Sequence, residues 1–428
     1  MTKKRSASTP TTLIGVAILV VVVIAGLFYG WDRVLPIAKQ LGVDTSAIDK
    51  VVTQIAPATS EVAATSEVTA TNEATATQAV SDQSTPSATS TDDGSQAVGG
   101  GGGEPYEVYF TDPASFPKGT ISGGIEMNLI DLIDQARSTI DLAVFEFDLQ
   151  DVADALIAAH NRGVQVRIVY DDEHTAPDPQ MDQMIAAGIP ATPDKRSAFM
   201  HNKFFVIDGF VVWMGSTNMT VNDMFKNNNN SVVFNSRQLA ENYTAEFEEM
   251  FNGQFGPTSP SNTPNPEFKL NGILIQNYFG SEDQTLQHLV EMIQSAKKSI
   301  HFMAFSFTKT DPDLGKAMAE RGAAGVEVSG IFEQRGADTS TSECSFLRQK
   351  GFDVRLDGNP QTFHDKVIIV DGETVEFGSF NFSSNAANGN DENYVIVHDP
   401  WLAAQYEEEF QRRMAEAQMP PGTACKMK

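Results

Sequence analysis

Hydrophobic and polar positions divide the chain into three stretches of different character. From Leu13 to Tyr29 runs a charge-free apolar segment, LIGVAILVVVVIAGLFY. Residues 51–104 are rich in Thr, Ser and Ala, carry no Lys or Arg, and end in five glycines, Gly99 to Gly103. Beyond Glu104 the apolar positions recur at helix and strand periods. TIDLAVFEF (139–147) reads as a strand following an amphipathic segment, 125–137. SIHFMAFSF (299–307) repeats it after the amphipathic stretch 283–296. A helical segment, a glycine and a further strand come next: ALIAAHNRGVQVRIVYD is echoed by AMAERGAAGVEVSGIFE. Gly163 and Gly325 stand at matching helix ends, a favoured place for glycine, and Gly188 and Gly351 mark a second such echo. Amphipathic helices are expected near 237–252 and 400–417. Leu239, Tyr243, Phe247 and Met250 share one face of the first.

Strands alternating with helices predict an α/β fold of two tandem pseudo-repeat α/β/α sandwich halves. A repeat this long means a duplicated domain and not a solenoid. The expected boundaries are 105–255 for the first half, 256–266 for a connector within the Pro/Ser/Asn-rich stretch, and 267–428 for the second half. Residues 1–11 read as a cytoplasmic tail, 12–31 as a transmembrane helix and 32–104 as a flexible low-complexity tether. Lys3, Lys4 and Arg5 precede the apolar run, which places the N-terminus in the cytoplasm and the rest outside. The run is longer than the apolar core of a signal peptide and leads into Gly30-Trp31-Asp32-Arg33, so it reads as an uncleaved anchor. Residues 51–104, as flexible chain, would reach on the order of 40 Å.

The formal net charge is −26. Six of the 30 Lys/Arg and ten of the 56 Asp/Glu precede residue 105, which leaves 24 basic and 46 acidic residues beyond. Such a surface disfavours non-specific binding to nucleic acid or anionic membranes, so any anion site must be a local pocket. Cys344 and Cys425 are too few for a disulfide framework or a four-cysteine zinc site. Two readings of them stay open: a pair formed in an oxidising compartment, or one packed thiol and one tail thiol.

The candidate chemistry lies in a motif that occurs twice at an offset of 163 residues. HNKFFVID holds His201, Lys203 and Asp208; HDKVIIVD holds His364, Lys366 and Asp371. Each copy runs into Gly-Ser-x-Asn: Gly215, Ser216 and Asn218, then Gly378, Ser379 and Asn381. The apolar run before Asp-Gly reads as a strand entering a hairpin. On a strand, His and Lys two residues apart share one face. Two such strands brought together gather two imidazoles and two ammonium groups, the set a tetrahedral phosphate needs. The lysines neutralise non-bridging oxygens, one histidine attacks phosphorus and the other protonates the leaving oxygen. Ser216, Asn218, Ser379 and Asn381 are candidates to hydrogen-bond the phosphate; for the asparagines the alternative is stabilising the turn. Asp208 and Asp371 stand at strand ends before glycine, where a turn or ion-pair role fits better than direct chemistry. The scheme needs no metal and no cofactor, and no dense carboxylate or Cys/His cluster is visible. Asp171-Asp172-Glu173 follows a strand end, where ligands gather in α/β folds; a solvated loop fits it better than the alternative of a site for a metal or a headgroup amine. His160, His174, His288, His301 and His398 read as ordinary histidines.

These residues and spacings resemble the phospholipase D superfamily over roughly residues 106–418. The resemblance implies one phospholipase D-like body with a shared active site, in which the six motif residues form the catalytic set. It implies reaction through a covalent phosphohistidine resolved by water or an alcohol, with His201 the nucleophile and His364 the general acid. The family often places a carboxylate or amide after the second motif element to orient a histidine. Here Glu392 lies thirteen residues past Ser379, and Asn229 is its first-half counterpart. Glu392 is therefore expected to hold one catalytic histidine and Asn229 the other; the sequence does not say which holds which.

The expected function is a membrane-tethered, monomeric phospholipase D that hydrolyses headgroup esters of membrane phospholipids to phosphatidic acid. An acidic body suits a zwitterionic or amine headgroup better than a polyanion. The alternatives are an extracytoplasmic metal-independent endonuclease, which the absence of a basic stripe disfavours, a cardiolipin-synthase-like phosphatidyl transferase, and an inactive binding module, against which both intact motifs argue.

Overall fold

The computed structural model describes residues 105–175 and 178–426. The expected anchor, 12–31, and tether, 32–104, lie outside them. Among the described residues no helix is long and apolar enough to cross a membrane.

The first half is built on one sheet. Its strands are β1 (Tyr106–Phe110), β2 (Thr139–Val144), β3 (Gln165–Tyr170), β4 (Ala191–Pro193), β5 (Phe204–Ile207), β6 (Val211–Gly215) and β7 (Asn230–Asn235). They lie in the order β1-β7-β6-β5-β2-β3-β4. β2, β3 and β4 pair in parallel, and the others pair antiparallel. The second half repeats the plan with β8 (Glu267–Leu270), β9 (Ile273–Phe279), β10 (Ser299–Ala304), β11 (Glu327–Phe332), β12 (Asp353–Leu356), β13 (Lys366–Val370), β14 (Thr374–Gly378) and β15 (Asn393–His398). Its order, β12-β11-β10-β13-β14-β15-β9-β8, is the first reversed in direction of reading, with β8 added at the edge. The longer helices are α1 (Glu126–Gln135), α2 (Gln150–Asn161), α3 (Arg237–Phe251), α4 (Thr285–Ser295), α5 (Leu314–Ala323) and α6 (Pro400–Glu416).

Strand alternation sorts the apolar side chains into separate cores. On β5, Phe205 and Ile207 face an outer core with Leu129, Leu156 and Ile168. On β13, Ile368 and Val370 join a second outer core with Leu289, Phe302 and Leu347. The alternate positions, Phe204, Val206, Val367 and Ile369, enter a central core drawn from both halves. Tyr243 and Phe247 of α3 and Tyr406 and Phe410 of α6 lie in that central core. Both sheets are thus apolar on both faces, which is why their strands read as near-continuous hydrophobic runs. Inner faces that each need the other to be buried make the repeat one body.

Each His-x-Lys segment is also tied by backbone to the opposite half. Met200 bridges Asp391, with His201 N–H donating to the Asp391 carbonyl at 2.9 Å. Asn228 bridges Phe363, with His364 N–H donating to the Asn228 carbonyl at 2.8 Å.

Of the two readings of the cysteines, the structure selects the pair. Cys344 and Cys425 form a disulfide, with Cα atoms 6.1 Å apart and a sequence separation of 81. It fixes the C-terminal segment, which Arg348 also grips by donating to the carbonyls of Pro420 at 2.8 Å and Gly422. Closing a loop of this length restricts the unfolded chain, so Cys425→Ser should lower stability by about 2–4 kcal/mol. Urea unfolding of oxidised protein, reduced protein and the variant measures this. The reduced protein should match the variant.

Candidate active site

The backbone bridges decide which side chain meets which histidine. Because His201 pairs with Asp391, the next residue, Glu392, reaches its ring: Nδ1 lies 2.7 Å from Glu392 Oε2. Because His364 pairs with Asn228, the next residue there, Asn229, does the same, with Nδ1 2.8 Å from Oδ1. The orienting group of each histidine comes from the other half. With Nδ1–H donating, each Nε2 is left free for a substrate.

Ser379 Oγ donates to Glu392 Oε2 at 2.7 Å, and Ser216 Oγ donates to Asn229 Oδ1 at 2.9 Å. Both serines are fully buried and their single proton is committed. The expectation that they bind phosphate is therefore corrected: they orient the groups that orient the histidines. The glycine before each serine permits this fold-back, since a Cβ on Gly215 or Gly378 would stand 2.3 or 2.2 Å from the carbonyl oxygen of Asn230 or Asn393. Asn218 and Asn381 each keep an Oδ1 with no hydrogen-bond partner, and Asn218 Nδ2 donates to Glu146 at 3.3 Å.

His201–Lys203 forms an extended lead-in to β5, which starts at Phe204, while β13 begins on Lys366 itself. The expected sharing of one strand face thus holds for an approach segment and not for a mid-strand position. Each lysine curls back on its own motif. Lys203 Nζ donates to the His201 carbonyl and Lys366 Nζ to that of His364, both at 2.7 Å. Phe145 and Phe305 underlie these lysines, 4.8 and 4.9 Å from ring centroid to Nζ, and pack edge-on against His201 and His364.

Burial dominates the electrostatics. It pushes the lysines down, Lys203 to about 8 and Lys366 to about 7, the second also through repulsion by Lys203. It pushes both histidines well below their usual range, with the two lysines adding to the effect. Burial raises Glu392 to about 7, against the pull of Lys203. The site rests with neutral imidazoles and barely held ammonium protons, a state that an incoming phosphodiester anion would re-charge.

Asp208 and Asp371 are not in the cleft. The Asp208 carboxylate accepts the N–H groups of Arg137, Ser138 and Thr139 at 2.7–3.2 Å. The Asp371 carboxylate accepts those of Lys297, Lys298 and Ser299 at 2.6–3.0 Å. These partners lead into β2 and β10, whose far ends carry Phe145 and Phe305 under Lys203 and Lys366. Placing the aspartates in the reacting set is thus corrected, and their partners are backbone amides and not an ion pair. Burial would raise Asp371, but the three N–H groups outweigh it and lower the carboxyl. Both residues have positive φ, 52° and 58°, as the first corner of a tight Asp-Gly hairpin.

Further groups lie near the site: Asp223 and Glu146, which no motif marks, and Asp171 and His174, which differ from expectation. Asp223 lies 3.7 Å from His364 Nδ1 and accepts the Asn218 N–H at 2.8 Å. Glu146 is raised to about 7 by burial and then by Asp223. Asp171, expected in a solvated loop, is buried and pairs with His174 at 2.8 Å; His174 packs on Phe145 and Phe199 beside His201. No repeat marks these groups, because the 163 offset leads from Asp223 to Ala386, and Glu146, next to Phe145, corresponds to Ser306 next to Phe305.

Two histidines crossed to opposite halves, with two lysines in one buried set, define a class of site built for an anionic tetrahedral centre. The sequence profile described as "Cardiolipin synthase, PLD-like domain" matches residues 129–251 and 289–414, more than half of the chain. The chain belongs to the phospholipase D superfamily and is a phosphodiesterase-type enzyme of it. It is 34% identical over 142 residues to a mitochondrial cardiolipin hydrolase of Xenopus tropicalis, covering 33% of this chain and 67% of that one. It is 28% identical over 161 residues to a phospholipase D of Rickettsia bellii, covering 36% of this chain and 79% of that one. Each of these matches has the length of one half. The crystal structure of a phosphatidylserine synthase from Haemophilus influenzae superposes over 70% of this chain and 86% of its own with a TM-score of 0.55 at 16% identity, a likeness of fold.

Asp208→Asn should remove about 1–3 kcal/mol of stability through its lost charged hydrogen bonds, while phosphodiester turnover by the folded fraction stays within about threefold. Denaturant melts and active-site-normalised rates separate the two effects.

Proposed function

We propose that the protein is a phospholipase D that hydrolyses headgroup esters of membrane phospholipids through a phosphohistidine on His201. The observation that carries the chemistry is the unequal pairing of the two histidines. Glu392 on His201 Nδ1 stabilises the positive charge that forms on the ring when Nε2 bonds phosphorus, so this ring is the better nucleophile. Asn229 takes the hydrogen bond of His364 Nδ1, and the Asp223 carboxylate, engaged by the Asn218 N–H, stays 3.7 Å away. Without a directly bonded carboxylate the His364 imidazolium gives up a proton more readily than that of His201, which suits the acid that protonates the leaving oxygen. In the second step the now neutral His364 takes a proton from water, whose oxygen attacks phosphorus and returns His201. Lys203, Lys366, Asn218 and Asn381 hold the non-bridging oxygens, and the ammonium groups gain most where charge builds in the transition state.

The lipid reading is supported by the names of the matched relatives, by the acidic charge of the chain and by the apolar run at 12–31. With that run as an anchor, the catalytic body stands outside the cytoplasm, a compartment in which the Cys344–Cys425 disulfide would persist.

Two experiments test this. Phosphatidylcholine vesicles, with and without phosphatidylglycerol, and plasmid DNA are offered in parallel to the full chain. Choline release with intact plasmid is expected; nicked plasmid without choline would make the protein an endonuclease, and phosphatidylglycerol-dependent cardiolipin formation a transferase. In acid-quenched labelling with a phosphoryl substrate, His364→Ala should accumulate label on the protein and His201→Ala should carry none. Label on the second variant would sink the assignment of the nucleophile.

The pH profile follows from the buried lysines. Their depressed values mean that the free enzyme loses charge as pH rises, so kcat/KM should fall through about pH 7 to 8. Glu392→Gln should lower kcat by about 100-fold or more and move the acid limb of the profile further down, because the amide no longer supports the imidazolium. An unchanged rate and profile would refute the role given to Glu392.

A further inference from the structure

The structure gathers three carboxylates that the sequence scatters. Glu246 and Glu249 of α3, in the first half, and Glu282, just after β9 in the second, each place an oxygen within 4.8 Å of the others. Glu246 and Glu249 are 4% and 8% exposed, and Glu249 Oε2 is buried with no hydrogen-bond partner. The neutral donor on Glu246 is Asn202 Nδ2, at 3.3 Å. Asp391 adds to the negative field on Glu246 but takes the ion pair of Arg196 for itself. Asp283 lies beside Glu282 and is engaged by Ser261, Thr263 and the Phe279 N–H.

The repeat shows what such a place requires. The 163 offset carries Glu246 to Glu409, Glu249 to Arg412 and Met250 to Arg413. Glu409 is also buried, and its two oxygens are met by Arg413 Nε at 2.6 Å and Arg412 Nη2 at 2.7 Å. In the first half both arginines are gone. One is replaced by Met250, the other by a further carboxylate, and Glu282 adds a third. The same fold position has exchanged two cations for two more anions.

We propose that Glu246, Glu249 and Glu282 bind a calcium ion, which takes the place of the guanidinium groups of the second half. An all-carboxylate donor set selects a hard cation over zinc or copper. Three long side chains from two separate segments suit the irregular, oxygen-rich shell of calcium better than the strict octahedron of magnesium. The ion clamps α3 of one half to the start of the loop after β9 of the other. Asn202, which donates to Glu246, stands between His201 and Lys203, so the clamp lies directly behind the motif of the first half. The site is separate from the reacting groups and does not depend on which phosphodiester the enzyme cleaves.

The test uses the full-length chain in detergent, freed of metal by a chelator and dialysed, then titrated with calcium chloride by calorimetry and by thermal melting. One saturable calcium per chain and a melting point raised by several degrees are expected, with a smaller rise for magnesium. Glu249→Gln should bind calcium about tenfold or more weakly. Met250→Arg, which restores the cation of the second half, should melt at a temperature independent of calcium. If that variant does not fold, the comparison of wild type with Glu249→Gln decides alone. A wild type with neither calcium heat nor a shifted melt, its carboxylates neutralised by protons, would overturn the proposal. Wild-type calcium affinity in Glu249→Gln would overturn it equally.

Discussion

The structure turns on one crossed hydrogen bond made twice: His201 to Glu392 and His364 to Asn229. Each histidine is carried by one half and aimed by the other. The crossing is imposed by the backbone bridges at Met200–Asp391 and Asn228–Phe363, which set the next residue on each partner segment against the ring. A half folded alone would present a histidine with no partner for Nδ1 and an inner sheet face with nothing to cover it. Burial of the central core and assembly of the site are therefore one event. This explains why the duplication lies within one chain whose inner faces share Phe234, Phe377, Tyr243 and Tyr406.

The crossing also settles how an acidic protein can hold an anion. Two lysines and two histidines are buried together, and burial weakens the hold of all four on a proton. The loss is limited by groups that compensate without entering the reaction: the carbonyls that hold each Nζ, the faces of Phe145 and Phe305, and the carboxylates Glu392, Asp223 and Glu146. A net charge of −26 therefore says little about the cleft, where a few desolvated cations set the local field. The lysine protons are held weakly, so in the proposed function binding of an anion and charging of the site would reinforce each other.

The repeat made much of this legible in advance. The echoed strands, helices near 237–252 and 400–417, the Asp-Gly hairpins and the correspondence of Glu392 with Asn229 across the repeat all follow from local pattern plus the 163 offset. What was not legible depended on three-dimensional crossing. Which orienter holds which histidine requires knowing that segments 199–201 and 391 are neighbours. The role of the serines is hidden because Ser-x-Asn has the pattern of a ligand turn, while Oγ folds back onto Asn229 or Glu392. Asp171 and His174 looked like loop residues because nothing in the chain pattern places them over Phe145. The carboxylate cluster was invisible because Glu282 comes from the other half.

Duplication gives two equal backbones, yet a two-step displacement needs unequal groups. The inequality here lies wholly in side chains at equivalent positions. A carboxylate faces His201 where an amide faces His364. Asp223 stands where the second half has Ala386, and Glu146 where it has Ser306. Met250 and Glu249 stand where it has Arg413 and Arg412. The backbone positions that bring the histidines together are the same in both copies, from the glycine that allows each serine to fold back to the aspartate that holds each strand start. Around the site, the differences named above are differences of charge. A symmetric frame fixes distance and direction, and the distribution of carboxylates over that frame makes the two imidazoles unequal, the inequality on which the proposed division into nucleophile and acid rests.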